Sequence, residues 1–196
     1  MVIDLTKCIG CGACVIACAQ GNGISSNLWR KVIDCGVGSP PERKRICLPL
    51  SCMHCDSPPC LEVCPTGATF QRPDGVIEIN HRRCVGCGYC IVSCPYMARV
   101  IIFQKGPDGQ ASELMGVSSK CDFCIHRVEA GLKQGLRPGI DRDASPLCVI
   151  SCSSGALSFG DWDDPGSQVS RLIGDGRTVA LQEELKTGPS VRYIVE

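Results

Sequence analysis

Sixteen of the eighteen cysteines in this 196-residue chain stand in four groups of four. The first is Cys8, Cys11, Cys14 and Cys18; the second is Cys52, Cys55, Cys60 and Cys64. The third is Cys84, Cys87, Cys90 and Cys94; the fourth is Cys121, Cys124, Cys148 and Cys152. In every group two residues separate the first pair and three precede the last cysteine, so only the middle gap varies. Thiolates so spaced suit a 4Fe–4S cluster, which takes four cysteine sulfurs. Groups one and three match the spacing of bacterial two-cluster ferredoxins, where the fourth cysteine serves the other cluster. Each cluster is therefore expected to draw three cysteines from one group and one from another. The expected cofactors are four 4Fe–4S clusters, and the expected role is an electron wire.

Other chemistries fit the pattern less well. A disulfide scaffold matches the even total but needs neither the repeated gaps nor the two Cys-Pro endings at Pro65 and Pro95. Structural zinc wants two CxxC-like pairs per site rather than three cysteines plus one. Haem attachment needs a His after CxxC, and none follows. Nothing resembles GxGxxG after a strand, a P-loop or HExxH, so no catalytic residue is expected in this chain.

Lys7, Arg83 and Lys120 each directly precede the first cysteine of a group. A cation there would raise a cluster potential, and Arg83→Glu would lower it; solvated surface charge is the equal alternative. Cys35 and Cys47 stand outside the groups and read as small apolar residues. His54, between Cys52 and Cys55, reads as a donor near sulfur or as surface. His81 and His126 carry no pattern.

The elements that must hold these loops repeat. Val2-Ile3-Asp4-Leu5 leads into Cys8-Ile9-Gly10-Cys11-Gly12-Ala13-Cys14, and Val76-Ile77-Glu78-Ile79 leads into Cys84-Val85-Gly86-Cys87-Gly88-Tyr89-Cys90. Each reads as a short strand entering a Gly-rich loop, with a short helix after the third cysteine. Residues 68–79 read as a hairpin turning at Arg72-Pro73-Asp74-Gly75. Ser153 to Phe159 repeats the turn and strand of Pro65 to Phe70. The fold class is α+β, with two ferredoxin-like units. Ser39 to Arg45 reads as a basic surface loop. Within group four, Ile125 to Gln134 reads as a helix with Val128 and Leu132 on one face, and Gly135 to Pro146 as a loop. Beyond Asp161, residues 167–170 and 179–186 are the ordered candidates.

Bulk composition agrees with a metal-dependent fold. Apolar residues make up 44%, but aromatics only 5%, with 22 glycines and 13 prolines. So weak a core needs cohesion from bound metal, and the apoprotein is expected to be largely unfolded. Basic and acidic residues balance at 20 each, which gives no footprint for nucleic acid. Loaded clusters would bring the chain to about −8. No apolar run approaches a membrane span and no signal peptide is read, so no export address of its own is expected. The thiols must be reduced when clusters are loaded, so assembly is expected in a reducing cytoplasm.

At Cys52-Met53-His54-Cys55 through Cys60 and Cys64-Pro65-Thr66-Gly67-Ala68, the chain resembles a known family. Lys120-Cys121-Asp122-Phe123-Cys124 with Arg127, Asp163-Asp164-Pro165, Val169-Ser170, Glu183-Glu184-Leu185 and Thr187 extend the likeness over nearly the whole chain. The family is the four-cluster iron–sulfur subunit of the dimethyl-sulfoxide-reductase-type molybdenum/tungsten oxidoreductases. The resemblance implies that Cys8, Cys11 and Cys14 share a cluster with Cys152, and Cys121, Cys124 and Cys148 with Cys18. It likewise implies Cys52, Cys55 and Cys60 with Cys94, and Cys84, Cys87 and Cys90 with Cys64. The sequence by itself leaves tandem pairing of groups one with two and three with four open. The implied units are residues 1–34 with 112–160 and residues 48–105, joined by a basic loop at 35–47, with a partner-facing tail at 161–196. The implied partners are a large molybdenum/tungsten bis-pterin catalytic subunit and a membrane anchor or soluble redox partner. The final site is then cytoplasmic or, by co-export, periplasmic. A stand-alone polyferredoxin is the alternative within this chemistry. Two features depart from the family: Cys152 is followed by Ser153, and the insertion between Cys124 and Cys148 is long.

Overall fold

The computed structural model describes residues 1–36, 38, 45–103 and 114–195. In chain order the elements are β1 (Val2–Asp4), α1 (Ala13–Gly21), β2 (Lys31–Asp34), β3 (Cys47–Leu50), α2 (Pro59–Glu62), β4 (Thr69–Gln71), β5 (Ile77–Ile79) and α3 (Tyr89–Val92). Then follow β6 (Val100–Ile101), β7 (Ser118–Ser119), α4 (Ile125–Leu132), α5 (Leu147–Ile150), β8 (Leu157–Ser158), α6 (Gln168–Gly174), β9 (Thr178–Val179) and β10 (Arg192–Ile194). Short 3-10 turns lie at Arg142–Ala144 and Glu183–Leu185. Of the basic loop, residues 39–44 fall outside the described residues; Arg45 pairs with Asp34 at 2.8 Å.

Short strands match a chain whose apolar runs are only a few residues long. The expected hairpin forms between β4 and β5, with Thr69 opposite Ile79. The pairs β2–β3 and β6–β7 are likewise antiparallel. The largest sheet has the order β8-β1-β10-β9. Within it β1 runs antiparallel to β8 and parallel to β10. The helix expected at Ile125 is α4, with Val128 buried. Leu132, expected on the same face as Val128, lines with it an open cleft of about 760 Å³ and is 54% exposed.

The segment after Asp161, expected to face a partner, is built into the fold. Ser167 caps α6, accepting from the Val169 amide at 3.2 Å, and Val169 is fully buried. Further on, the chain runs beside the second cysteine group. Ser57 N donates to Thr187 O, Asp56 N to Gly188 O and Ser190 N to Met53 O. It then enters the main sheet as β10, where Tyr193 is buried and donates to Pro49 O at 2.9 Å. This last strand is not legible in the sequence, because so few residues are too short a run for a clear period of two.

Cysteine supplies much of the interior. Cys14, Cys18, Cys52, Cys55, Cys121 and Cys148 pack in one buried cluster with Ile3, Met53 and Tyr193. Trp29 joins it and satisfies its indole N–H on Ser119 Oγ at 2.6 Å. Helix α1 packs on α5, and α2 packs on α3. Group one thus meets group four, and group two meets group three.

Candidate metal centres

Each CxxC loop turns on a residue with positive φ just before its second cysteine. These are Gly10 at 69°, His54 at 45°, Gly86 at 67° and Phe123 at 59°. The left-handed turn curls the loop and lets successive N–H groups face a common point. At the third and fourth cysteines short helices take over. Cys14 and Cys18 lie one turn apart on α1, Cys60 lies in α2, Cys90 in α3 and Cys148 in α5. Cys64, Cys94 and Cys152 follow just after their helices.

The groups converge across the chain rather than along it. Cys64 of group two lines one cavity with Cys84, Cys87 and Cys90 of group three. Around Cys55 the other thiols felt electrostatically are Cys52, Cys60 and Cys94. Around Cys18 they are Cys148 and Cys124, and Cys121 faces Cys148 and Cys18. Around Cys8 they are Cys47, Cys152 and Cys11. Of the two leftover cysteines, Cys47 is buried with Sγ against Gly10, and Cys35 is half-buried.

Burial pushes the Cys14 and Cys124 thiols up to about 11, and Cys18 and Cys55 up to about 12. Such thiols give up their protons only to a strong cationic partner, which is what iron binding supplies. Cys64 differs. Burial raises it, but the Thr69 N–H, the Thr66 hydroxyl and the Ala68 and Thr66 N–H groups outweigh that and bring it down to about 7. At Cys152, burial is outweighed in the same way by the Ser154 hydroxyl and the Ala156, Leu157 and Ser154 N–H groups. Amides also donate to sulfur directly: Thr69 N to Cys64 at 3.5 Å, Ser118 N to Cys84 at 3.4 Å and Phe123 N to Cys121 at 3.5 Å. Donors of this kind hold anionic sulfur and tune cluster potentials. Ser118 and Thr69 carried no motif that could have marked them.

The expected cations take varied positions. Lys7 is exposed and paired with Asp4 at 3.0 Å. Arg83 is exposed and donates to Thr66 O at 2.8 Å, beside the Cys64 loop. Lys120 is buried, but its ammonium is taken up by the carbonyls of Ile77 and Cys121. Two cations that the sequence did not single out, Arg30 and Arg99, are almost wholly buried among the cysteines. Nε and Nη1 of Arg30 and Nη2 of Arg99 have no hydrogen-bond partner. A buried guanidinium stays charged and needs an anion. Converging sulfurs, N–H donors beside them and buried cations without a carboxylate partner together fit an anionic iron–sulfur cluster.

His54 does not lie at the surface. It is buried, accepts from Ile77 N at 3.0 Å through Nδ1, and stacks on Phe123 with ring centroids 3.9 Å apart. Burial, then the charge of Lys120, hold its pKa well below the usual histidine range, so it is neutral. Phe159 packs edge-on against Phe123 at 5.4 Å.

Comparison with known proteins agrees with this geometry. A family model described as a 4Fe-4S dicluster domain matches residues 44–162, and a 4Fe-4S binding domain matches residues 1–18. A chain named as a dimethyl sulfoxide reductase iron-sulfur subunit in Halobacterium salinarum is 37% identical, over 99% of this chain and 78% of that one. A tetrathionate reductase subunit of Salmonella typhimurium is also 37% identical, over 99% of this chain and 71% of its own. The chain belongs to the iron–sulfur electron-transfer subunits of the dimethyl-sulfoxide-reductase-type molybdenum oxidoreductases. The arsenate respiratory reductase iron-sulfur subunit of a Shewanella species is 34% identical, over 99% of this chain and 94% of its own. As an iron–sulfur subunit of this family, the chain is a non-catalytic part of an oxidoreductase. Among the described residues no helix is long and apolar enough to cross a membrane.

Proposed function

We propose that the chain holds four 4Fe–4S clusters in two ferredoxin-like units and connects a large bis-pterin catalytic subunit to a second redox partner. The carrying observation is the shared cavity of Cys64 with Cys84, Cys87 and Cys90, which favours exchange of fourth ligands between groups two and three. The same exchange between groups one and four is supported by Cys8 facing Cys152 and Cys18 facing Cys148. The ligand sets are then Cys8, Cys11, Cys14 and Cys152; Cys18, Cys121, Cys124 and Cys148; Cys52, Cys55, Cys60 and Cys94; Cys64, Cys84, Cys87 and Cys90. Residues 1–34 with 112–160 form one unit and 48–105 the other. Bound clusters supply one-electron carriers.

The His54–Phe123 stack supports a reading in which the second and third of these sets lie at the junction of the units. The first and fourth sets lie at the periphery, where Cys11 and Cys87 are exposed. Ile9, beside Cys11, is 62% exposed, and Val85, beside Cys87, is 67% exposed. Apolar residues over a surface cluster suit a protein partner. The unit of groups one and four faces the catalytic subunit, and the other faces a membrane anchor or soluble redox partner. Loading requires reduced thiols, which places assembly in the cytoplasm, before any co-export with a partner.

Iron and sulfide analysis of the anaerobically purified chain, with low-temperature EPR, tests the reading. About sixteen irons per chain, four to each cubane, are expected. Zinc, or no metal, would end it. Recovery of the loaded chain without any large pterin protein, from cells of its source, would favour a stand-alone polyferredoxin.

A further inference from the structure

Three cations precede cysteine groups in the sequence, yet none is the cation most deeply placed among the sulfurs. Arg30 retains 1% of its surface and Arg99 retains 3%. No carboxylate among the described residues lies within ion-pair distance of either. Arg30 donates from Nη2 to Ser51 Oγ at 3.2 Å and touches Met1 Sδ at 3.3 Å, which leaves Nε and Nη1 unpartnered. Arg99 donates from Nη1 to Thr69 Oγ1 at 3.0 Å, which leaves Nη2 unpartnered. A hydroxyl and a thioether do not offset the cost of burying a full charge, several kcal/mol per ion.

The neighbours that can offset it are cysteines, and in each case they come from two ligand sets. Cys148, Cys121 and Cys18 act on Arg30 from one set and Cys14 from the next. Arg99 reaches the sulfurs of Cys60 and Cys90, which belong to different sets. The Thr69 that holds Arg99 also donates its amide to Cys64, in the same set as Cys90. Each unit thus buries one fixed positive charge between its two ligand sets, although Arg30 and Arg99 occupy unrelated places in the internal repeat.

Resting on the four-cluster reading, we propose that Arg30 and Arg99 are positioning residues of electron transfer, each a single cation shared by the two clusters of its unit. A charge so placed favours the more negative, reduced form of both neighbours and softens the repulsion when both are reduced. Arginine suits the role because it cannot shed its proton. Lys7, exposed and paired with Asp4, is screened by solvent and should matter little.

The test is a redox titration of the anaerobic full chain, read by low-temperature EPR beside iron analysis. The variants are Arg30→Gln, Arg30→Lys, Arg99→Gln, Arg99→Lys and Lys7→Gln. Arg30→Gln is expected to lower the midpoints of two centres and Arg99→Gln those of the other two. The expected loss is at least tenfold in the reduced-to-oxidised ratio at fixed poise, ~59 mV for a one-electron couple. The Lys variants should hold the midpoints near wild type. Unchanged midpoints in Gln variants with full iron overturn the proposal, as does an equal shift of all four centres by one variant. So does a Lys7→Gln shift as large as that of Arg30→Gln. If a Gln variant loses iron, its Lys variant decides: full iron with wild-type midpoints supports the shared charge, and loss of iron there too overturns it. Wild-type chain short of four clusters would instead sink the four-cluster reading, so the two failures are separable.

Discussion

The CxxC loops of groups one and three turn on glycine, at Gly10 and Gly86. Those of groups two and four make the same turn with His54 and Phe123. A side chain in this conformation costs about 1–2 kcal/mol that glycine avoids. The two costly loops are the interior ones: Cys55 and Cys124 are buried, whereas Cys11 and Cys87, in the glycine loops, are exposed. In the interior the strained residues gain each other, stacked at 3.9 Å, with Phe159 on the edge of Phe123. Such ring pairs contribute about 0.5–1.5 kcal/mol beyond burial. The glycine loops, by contrast, must stay small. A Cβ on Gly86 would strike the Gly116 carbonyl, and one on Gly10 would strike the Cys47 sulfur. One backbone solution therefore serves two purposes, as a thin cover over exposed cysteines and, on the proposed two-unit reading, as a joint.

Substitutions can break this distinction. The largest effect is expected from Cys55→Ala, which removes a ligand from an interior loop. About four irons should be lost and stability should fall by more than ~4 kcal/mol, measured by iron analysis and thermal unfolding. Cys11→Ala at the surface should lose as much iron but less stability; an equal or greater fall would erase the contrast. Phe123→Ala follows, with a loss of ~3–5 kcal/mol from the cavity and the broken stack, read from denaturant midpoints. A cost under ~1 kcal/mol would mean that the joint does not depend on the ring. Gly86→Ala combines a left-handed φ with a collision against backbone, and ~2–3 kcal/mol is expected in the same assay. Val85→Ser should be nearly silent for stability, within ~0.5 kcal/mol, yet should slow electron exchange with the partner in stopped-flow traces.

What the sequence could reveal follows from how each feature is encoded. Sequence spacing is local, so the four cysteine groups stand out at once, and β1, the β4–β5 hairpin and α4 were legible too. The exposure of Leu132 was not legible, because helical periodicity says which residues share a face, not whether another element covers it. Arg30 and Arg99 were missed because no motif links them to the groups; only the folded chain brings them to the sulfurs. The packing of the tail was hidden for a similar reason. Thr187 and Ser190 show their purpose only where they meet Tyr96 Oη at 2.6 Å and His54 O at 2.6 Å. His54 itself offered a signal that could have been used. A non-glycine residue standing where groups one and three have glycine implies a compensating contact.

The parallel pairing of β10 with β1 joins residues 192–194 to residues 2–4. All four cysteine groups lie between these partners. During synthesis every cysteine of the four groups, the proposed ligands, therefore leaves the ribosome before the strand that completes the main sheet. Closing so long a loop is entropically slow, and contacts this distant in sequence form late. The growing chain thus has a stretch of time in which its ligands exist and its sheet stays open, and an iron–sulfur donor can work then without unfolding anything. Once β10 docks, the strand order keeps a record of that timetable: ligands first, closure last.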